Sequence, residues 1–242
     1  MPIADARIPV FLVSSVHETA RKSFVELLRK EFPDLEQVEA IYPAHTRVPF
    51  LQQLQERSKE RSGRSLKEGE IGLILTNRQI WRKILNRASS DEEHFLILES
   101  DSKISASLLL HQYFHSLSAP YDIFFWGAWF GHMRLLRSKR KAFAAGHWAG
   151  EPLINSVACT YGYSINRKAA AVLLKATARI AYPVDEFKRY LTPGQLRFGG
   201  VSPELISVHP SPSTIRQDSS SLKEKIWIFL LDLRNHILSY WR

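Results

Sequence analysis

Residues 94–101 read His-Phe-Leu-Ile-Leu-Glu-Ser-Asp, and no other stretch limits the fold as tightly. Residues 95–98 form an apolar run with the length of a buried strand. The run stops at two carboxylates, Glu99 and Asp101, separated by Ser100. In an open α/β sheet, ligands bind beyond the carboxyl ends of the strands. Acids at that edge can face a ligand, whereas acids inside the strand could not. An acid-x-acid step there suits a hard divalent cation, which takes oxygen ligands and tolerates a bound diphosphate. Read alone, Ser100 or Asp101 could equally cap a following helix.

The pattern around this strand predicts an α/β layered domain. Residues 10–13 and 123–126 are further β-rich apolar runs, residues 37–42 offer a short strand, and residues 160–165 alternate like one. Phe24, Leu27 and Leu28 give residues 19–30 helical spacing, which Pro33 ends. Residues 52–68 are polar and read as a surface helix followed by a loop. Ile71, Ile74, Leu75, Ile80, Trp81, Ile84 and Leu85 mark an amphipathic helix over 70–87, and residues 167–178 read as an Ala-rich helix. Strands alternating with helices imply a mostly parallel central sheet flanked by helices. Residues 127–153 hold four of the eleven glycines, Trp129, His132, His147, Trp148 and a basic cluster over 134–141. They read as a long functional loop, with a hairpin as the alternative.

Composition narrows the class. With 242 residues and 45% hydrophobic content, the chain can be one domain with a sizeable core. The single cysteine, Cys159, cannot form an internal disulfide, fits a reducing cytosol and reads as a small core residue. No basic n-region and long apolar h-region precede residue 10, which argues against a signal peptide, and no run of about 18 apolar residues predicts a membrane span. The net charge of +9 suits an anionic partner. No nucleic-acid module is recognisable, so nucleic acid is not expected as a partner and an anionic lipid or phosphorylated glycolipid gains.

Several motifs stand in a fixed order around the acid pair. They are residues 9–15 (Pro-Val-Phe-Leu-Val-Ser-Ser) with Arg21 following, and 66–77 (Leu-Lys-Glu-Gly-Glu-Ile-Gly-Leu-Ile-Leu-Thr-Asn) with Trp81. Residues 121–127, 163–170, 182–185 (Tyr-Pro-Val-Asp) and 213–216 (Ser-Thr-Ile-Arg) complete the set. In this order and spacing the chain resembles glycosyltransferase family 25, the lipooligosaccharide and lipopolysaccharide galactosyltransferases, over roughly residues 8–216. The resemblance implies a GT-A-like nucleotide-sugar transferase fold in a catalytic domain over 1–216. It implies an inverting, metal-dependent transfer of a hexose, with galactose from UDP-galactose leading, onto a lipooligosaccharide acceptor. An inactive member serving as a binding or assembly subunit in surface-polysaccharide synthesis is the alternative. It is motivated by three departures from the family pattern: Ser100 for the middle acid, Asn77 for the usual His, and Ser14 for Asn.

Roles follow from the resemblance. Asp101 is the expected ligand of Mn²⁺ or Mg²⁺, with Glu99 as the supporting acid on the metal or the donor. Asp185 is the expected general base, after Pro183-Val184, with Glu186 as its immediate alternative. Arg21 and Ser14 are placed for the nucleotide or diphosphate. Glu70 is placed for donor or acceptor, or simply for its own helix N-terminus. His209 is a candidate third metal ligand from the late segment, and Trp126, Trp129 and Trp148 are candidates for stacking on sugar faces, with aromatic core as the competing role for Trp126.

The last residues read differently. Over 217–242, Leu222, Ile226, Phe229, Leu230, Leu233, Ile237 and Trp241 fall on one helical face, with Lys223, Lys225, Arg234 and Arg242 supplying charge. Such a helix can lie in an anionic membrane interface, placing the protein in the cytoplasm, peripheral on the inner face of the cytoplasmic membrane. Packing on the catalytic core or a homodimer contact are the competing readings.

Overall fold

Three apolar runs and the alternating segment at 160–165 become neighbouring strands of one large sheet. The computed structural model describes residues 7–210 and 222–241, with side chains described over 7–210 and 229–240. The 213–216 motif and the 216/217 domain boundary lie outside the described residues, as do the side chains of Leu222, Ile226 and Trp241. In chain order the elements are β1 (Val10–Ser14), α1 (Lys22–Glu31), β2 (Glu36–Glu39), α2 (Leu51–Ser62), α3 (Glu68–Arg87), β3 (Phe95–Glu99), β4 (Ser102–Ile104), α4 (Ser107–Ser118), β5 (Ile123–Gly127), β6 (Leu135–Ala144), β7 (His147–Pro152), β8 (Gly162–Ile165), α5 (Arg167–Ala176), α6 (Phe187–Tyr190), β9 (Phe198–Ser202), β10 (Ile206–Val208) and α7 (Leu222–Trp241).

The main sheet runs β2-β1-β3-β8-β5-β9-β7-β6, and β4 pairs with β10 in a separate antiparallel ribbon. Strands β2, β1, β3, β5, β9 and β6 point one way, while β8 and β7 point the other. The sheet is therefore mixed where sequence pattern alone predicts a mostly parallel one. The reason is a return path. Residues 153–161 carry the chain back to the edge where β3 and β5 end without forming a strand. Strand β8 then enters from that side and runs against both neighbours. The region expected as a functional loop is largely the β6–β7 hairpin, turning at Ala145-Gly146.

Side-chain alternation along the strands builds a core on each face. Phe11, Phe95, Ile97, Phe125 and Tyr163 pack under α3 and α5 through Ile71, Ile74, Ile80, Trp81 and Leu173. Leu12, Leu96, Leu98, Phe124 and Trp126 pack over α1 and α4 through Leu28, Leu110 and Phe114. Trp126 is a core residue, stacked on Phe114 with its indole N–H donated to Ser164 Oγ at 3.0 Å. Asn77 is also core: its Oδ1 accepts from Tyr163 Oη at 2.5 Å.

Two glycines let the ribbon cross the sheet edge. A Cβ on Gly127 would lie 1.9 Å from the Ile206 carbonyl oxygen, and one on Gly162 would lie 2.7 Å from the Ile206 side chain. Their absence admits β10 against β4, and the His209 amide donates to the Asp101 carbonyl at 2.8 Å.

Helix α7 docks by its polar side. Arg134 donates to Asp232 from Nε at 3.0 Å and from Nη2 at 2.7 Å, and His132 Nδ1 lies 3.3 Å from the same carboxylate. Asn235 and Ser239 are buried, while Phe229, Leu230, Leu233 and Ile237 are exposed. The apolar stripe thus points away from the rest of the protein, so the described part of α7 does not pack its apolar face on the core. Among the described residues no helix is long and apolar enough to cross a membrane.

Candidate active site

Strand β3 ends at Glu99, and the turn that follows places Asp101 beyond the sheet edge before β4 begins. Around that edge lies a cleft of about 230 Å³, lined by Glu70, Leu73, Glu99, Asp101, Phe130, Cys159, Thr160, Tyr161, Val184, Asp185 and His209 among others. Residues more than a hundred positions apart thus converge, because β8, β10 and the 182–185 turn all arrive at one edge.

The acids are held where burial disfavours their charged forms. Burial, then the neighbouring Asp101 charge, pushes the Glu99 carboxyl up to about 7, although Thr160 Oγ1 donates to it at 2.6 Å. Burial also raises Asp101, against the pull of the Arg21 guanidinium 2.9 Å away. Burial raises Asp185 as well, although the Cys159 amide donates to its Oδ2 at 3.0 Å. Elevated carboxyls gathered in one cleft mark a functional site more often than a structural one.

Unsatisfied atoms point the same way. Among the described residues two buried side-chain polar atoms lack a hydrogen-bond partner, Asp101 Oδ1 and Ser14 Oγ. Both lie at this sheet edge, since Val13 of β1 is in register with Glu99 of β3. Buried polar atoms are nearly always paired, and an exception calls for an explanation such as a missing ion or ligand.

The remaining expected residues divide. Glu186 precedes α6, pairs with Arg189 at 2.9 Å and does not line the cleft. Glu70 lines it but also serves its own helix, accepting the Lys67 amide at 2.8 Å and pairing with Arg64. Arg21 is buried and binds Glu18 at 3.0 Å, Ser100 Oγ at 2.8 Å and Asp101, so it braces the acid pair. A smaller cavity of about 40 Å³ on the β1 side, lined by Val13, Arg21, Tyr42, Thr76 and Ser100, shares Glu99 and Leu73 with the cleft. His209 lines the cleft, its ring stacked on Phe24 with centroids 3.9 Å apart. Burial lowers its pKa. Cys159 is half-buried at the cleft wall rather than inside the core.

Pattern reading singled out Trp129 in the wall of the cleft but missed Phe130, Tyr161 and Glu204. Trp129, Phe130 and Cys159 sit at φ of 49°, 53° and 69°, a left-handed region that costs non-glycine residues of order 1–3 kcal/mol each. The two strained segments are tied by the Trp129 amide donating to the Ala158 carbonyl at 2.9 Å. Glu204 accepts from Tyr161 Oη at 2.6 Å and from the Gly131 amide at 3.1 Å, while Tyr161 Oη accepts the Phe130 amide at 3.0 Å. Phe130 is thereby held at the cleft, exposed. The aromatic-aromatic-glycine step at 129–131 was its one sequence signal.

A divalent cation fits part of this donor set. Among the described residues no three His, Cys, Asp or Glu side chains converge closely enough to enclose a metal ion. One or two carboxylates, with the rest of the shell from phosphates and water, is an ordinary arrangement for Mg²⁺. Asp101, with one buried oxygen unpartnered, and Glu99 beside it meet that requirement.

A layered α/β domain with acids beyond its strand ends is an architecture for binding and converting a small ligand. Residues 8–188 match the family model of glycosyltransferase family 25 (LPS biosynthesis protein), and the chain belongs to that family. Family membership makes it a glycosyltransferase of lipopolysaccharide biosynthesis. No curated protein matches the chain.

Proposed function

We propose that the protein is an inverting, metal-dependent hexosyltransferase of GT-A-like fold, moving galactose from UDP-galactose onto a lipooligosaccharide acceptor. The observation that carries this reading is the pair of unpartnered buried oxygens at the carboxyl ends of neighbouring strands, Ser14 Oγ after β1 and Asp101 Oδ1 after β3, the latter in a carboxylate-lined cleft. Asp101 and Glu99 would hold Mn²⁺ or Mg²⁺. The cation supplies charge neutralisation for the leaving diphosphate. Ser14 and Arg21 face the nucleotide side, and Arg21 keeps Asp101 in place.

Asp185 takes the proton of the acceptor hydroxyl as its oxygen attacks the anomeric carbon. The bond from that carbon to the diphosphate oxygen breaks, and UDP leaves with the electron pair. One such displacement inverts the anomeric centre. The raised Asp185 carboxyl suits the role, because a base nearer neutrality accepts a proton more readily. Glu70 and Phe130 border the space left for the sugars.

A donor screen tests the proposal: several UDP-sugars, with and without Mn²⁺, followed by UDP release. Acceptor-stimulated, Mn²⁺-dependent turnover of UDP-galactose is expected. No UDP release from any donor would favour the inactive assembly-subunit reading.

A further inference from the structure

Helix α7 reverses the usual arrangement of a surface helix, whose apolar stripe faces the core. Asn235 and Ser239, 2% and 5% exposed, face inward, while Phe229, Leu230, Leu233 and Ile237 are 65%, 55%, 47% and 50% exposed. Asp232, the one acid among the described side chains of this helix, is bound by Arg134 and His132 and so is paired inward. The rim of the stripe is basic. The Arg137 guanidinium stacks over the ring of Tyr240, 4.6 Å from its centroid, and Arg234 is exposed. The edge strand beneath continues with exposed Lys139, Arg140 and Lys141.

We propose that α7 is a docking face for an anionic lipid surface, with its four exposed apolar side chains at the acyl boundary and Arg137 and Arg234 at the headgroups. An apolar stripe edged by cations and a tyrosine matches that interface in both polarity and charge. A second copy of the chain matches it less well. A two-fold interface sets the same patch against itself, and these cations would meet their own counterparts. The mooring of Asp232 to Arg134 and His132 also joins α7 to the segment that follows Phe130 and Gly131. Docking therefore holds the cleft wall close to the lipid surface, where a membrane-embedded acceptor would present its sugars. The presence of acceptor sugars there rests on the proposed glycolipid acceptor; the docking itself does not.

Co-sedimentation of the full chain with vesicles tests it without any donor. Phosphatidylcholine vesicles containing about one part in four phosphatidylglycerol should bind the protein more strongly than pure phosphatidylcholine. Raising the salt from about 0.1 M to about 0.5 M should weaken binding, because screening shortens the headgroup attraction. Leu233→Asp with Ile237→Asp should cut partitioning about tenfold or more, since two buried apolar contacts are lost. Both positions are half exposed, so the fold should survive, as circular dichroism would show. Phe229→Ser, at the most exposed position, provides a milder second variant. The proposal is overturned if the wild type ignores anionic vesicles, or if both variants bind undiminished. It is also overturned if the wild type is a vesicle-indifferent dimer that the double variant turns into a monomer. Transfer to a soluble acceptor should be unchanged in both variants; its absence in the wild type would count against the transferase chemistry and leave the docking result standing.

Discussion

The sheet has carboxylates at both of its edges, and they are treated in opposite ways. Asp122 sits just before β5, fully buried. It accepts from the Arg197 amide at 2.8 Å, from Arg197 Nη2 at 3.1 Å, from Lys168 Nζ at 3.0 Å and from Asn166 Nδ2 at 3.3 Å. Burial would raise its carboxyl, but these donors outweigh it and hold the group at about 2. At the other edge, Glu99, Asp101 and Asp185 have fewer donors, and all three are pushed up. A carboxylate whose partners lie within the protein stabilises the fold. One left short of partners keeps its bonding capacity for something that arrives later.

Asp185→Ala should break the catalytic half of this contrast most severely. Turnover should fall by about 10²–10⁴-fold, the usual worth of a general base, with UDP-sugar affinity nearly unchanged. Steady-state kinetics beside a direct donor-binding titration reads both. If donor binding collapsed instead, Asp185 would be a donor ligand, and if neither changed, Glu186 would be next. Asp101→Asn keeps the volume and removes a charge, and should cost about 10²–10³-fold in turnover at saturating donor and metal. Its melting temperature should hold, since burial already disfavours the Asp101 charge and the Asn side chain keeps an oxygen for Arg21.

Asp122→Asn should do the reverse. Activity per folded molecule should be retained while stability drops by about 1–2 kcal/mol in urea titration, a modest figure because the heads of Arg197 and Lys168 are half exposed and screened. Loss of activity without loss of stability would dissolve the distinction between the two edges.

The smallest effect is the most discriminating. Glu99 carries its proton up to about 7 in the folded chain against an ordinary 4.5, so the stability tied to that proton is complete below 4.5 and lost as pH rises to 7. Glu99→Gln should therefore melt higher than wild type at pH 8, each kcal/mol giving about 2–4 °C in a domain of this size, while transferring sugar more slowly. Two other groups act with the opposite sign. Asp122 supplies stability above its ordinary 3.8 that is lost as pH falls to about 2. Burial holds His94 down at about 4, so it supplies stability above 6.5 that is lost as pH falls to 4. Its Nε2–H bonds the Tyr121 carbonyl at 2.9 Å, and Nδ1 lies 3.2 Å from Ser164 Oγ. Melting temperature against pH should decline on the acid side in two steps, and His94→Asn should flatten the upper one.

What the sequence disclosed follows from where side chains carry a pattern. Strands β1, β3 and β5 are apolar on both faces and β8 alternates, so all four stand out, as does the 3.6-residue repeat of Ile71, Ile74, Trp81 and Ile84. Strand β6 defeats that reading. Arg137 through Ala142 are all exposed, so there is no alternation to see, and a basic edge strand resembles a loop. Helix α4 and the ribbon strands β4 and β10 went unpredicted. The strands are three residues each and close a ladder between segments a hundred positions apart. The same holds for the site. That Glu99 and Asp101 stand at a strand end was legible from the apolar run before them, and Asp185 was singled out by the family resemblance; the structure places all three around one cleft. Glu204 and Phe130 were not legible, since their roles depend on a backbone conformation that no spacing encodes. For α7 the repeat was visible, but the side it would present was not: Asp232 and Arg134, far apart in sequence, decide that.

The reversed strand β8 also sets a clock. On a ribosome β1, β2 and β3 can pair as they emerge, but β5 has no neighbour until β8 is made, and β9 and β10 follow later still. Asp101 is synthesised more than a hundred residues before His209, whose amide closes the ribbon beside it. The acid pair is therefore made about a hundred residues before the ribbon that closes beside it. Pairings at such long sequence separation form slowly, so the β3 edge that β8 will cover stays an open strand edge until β8 is made.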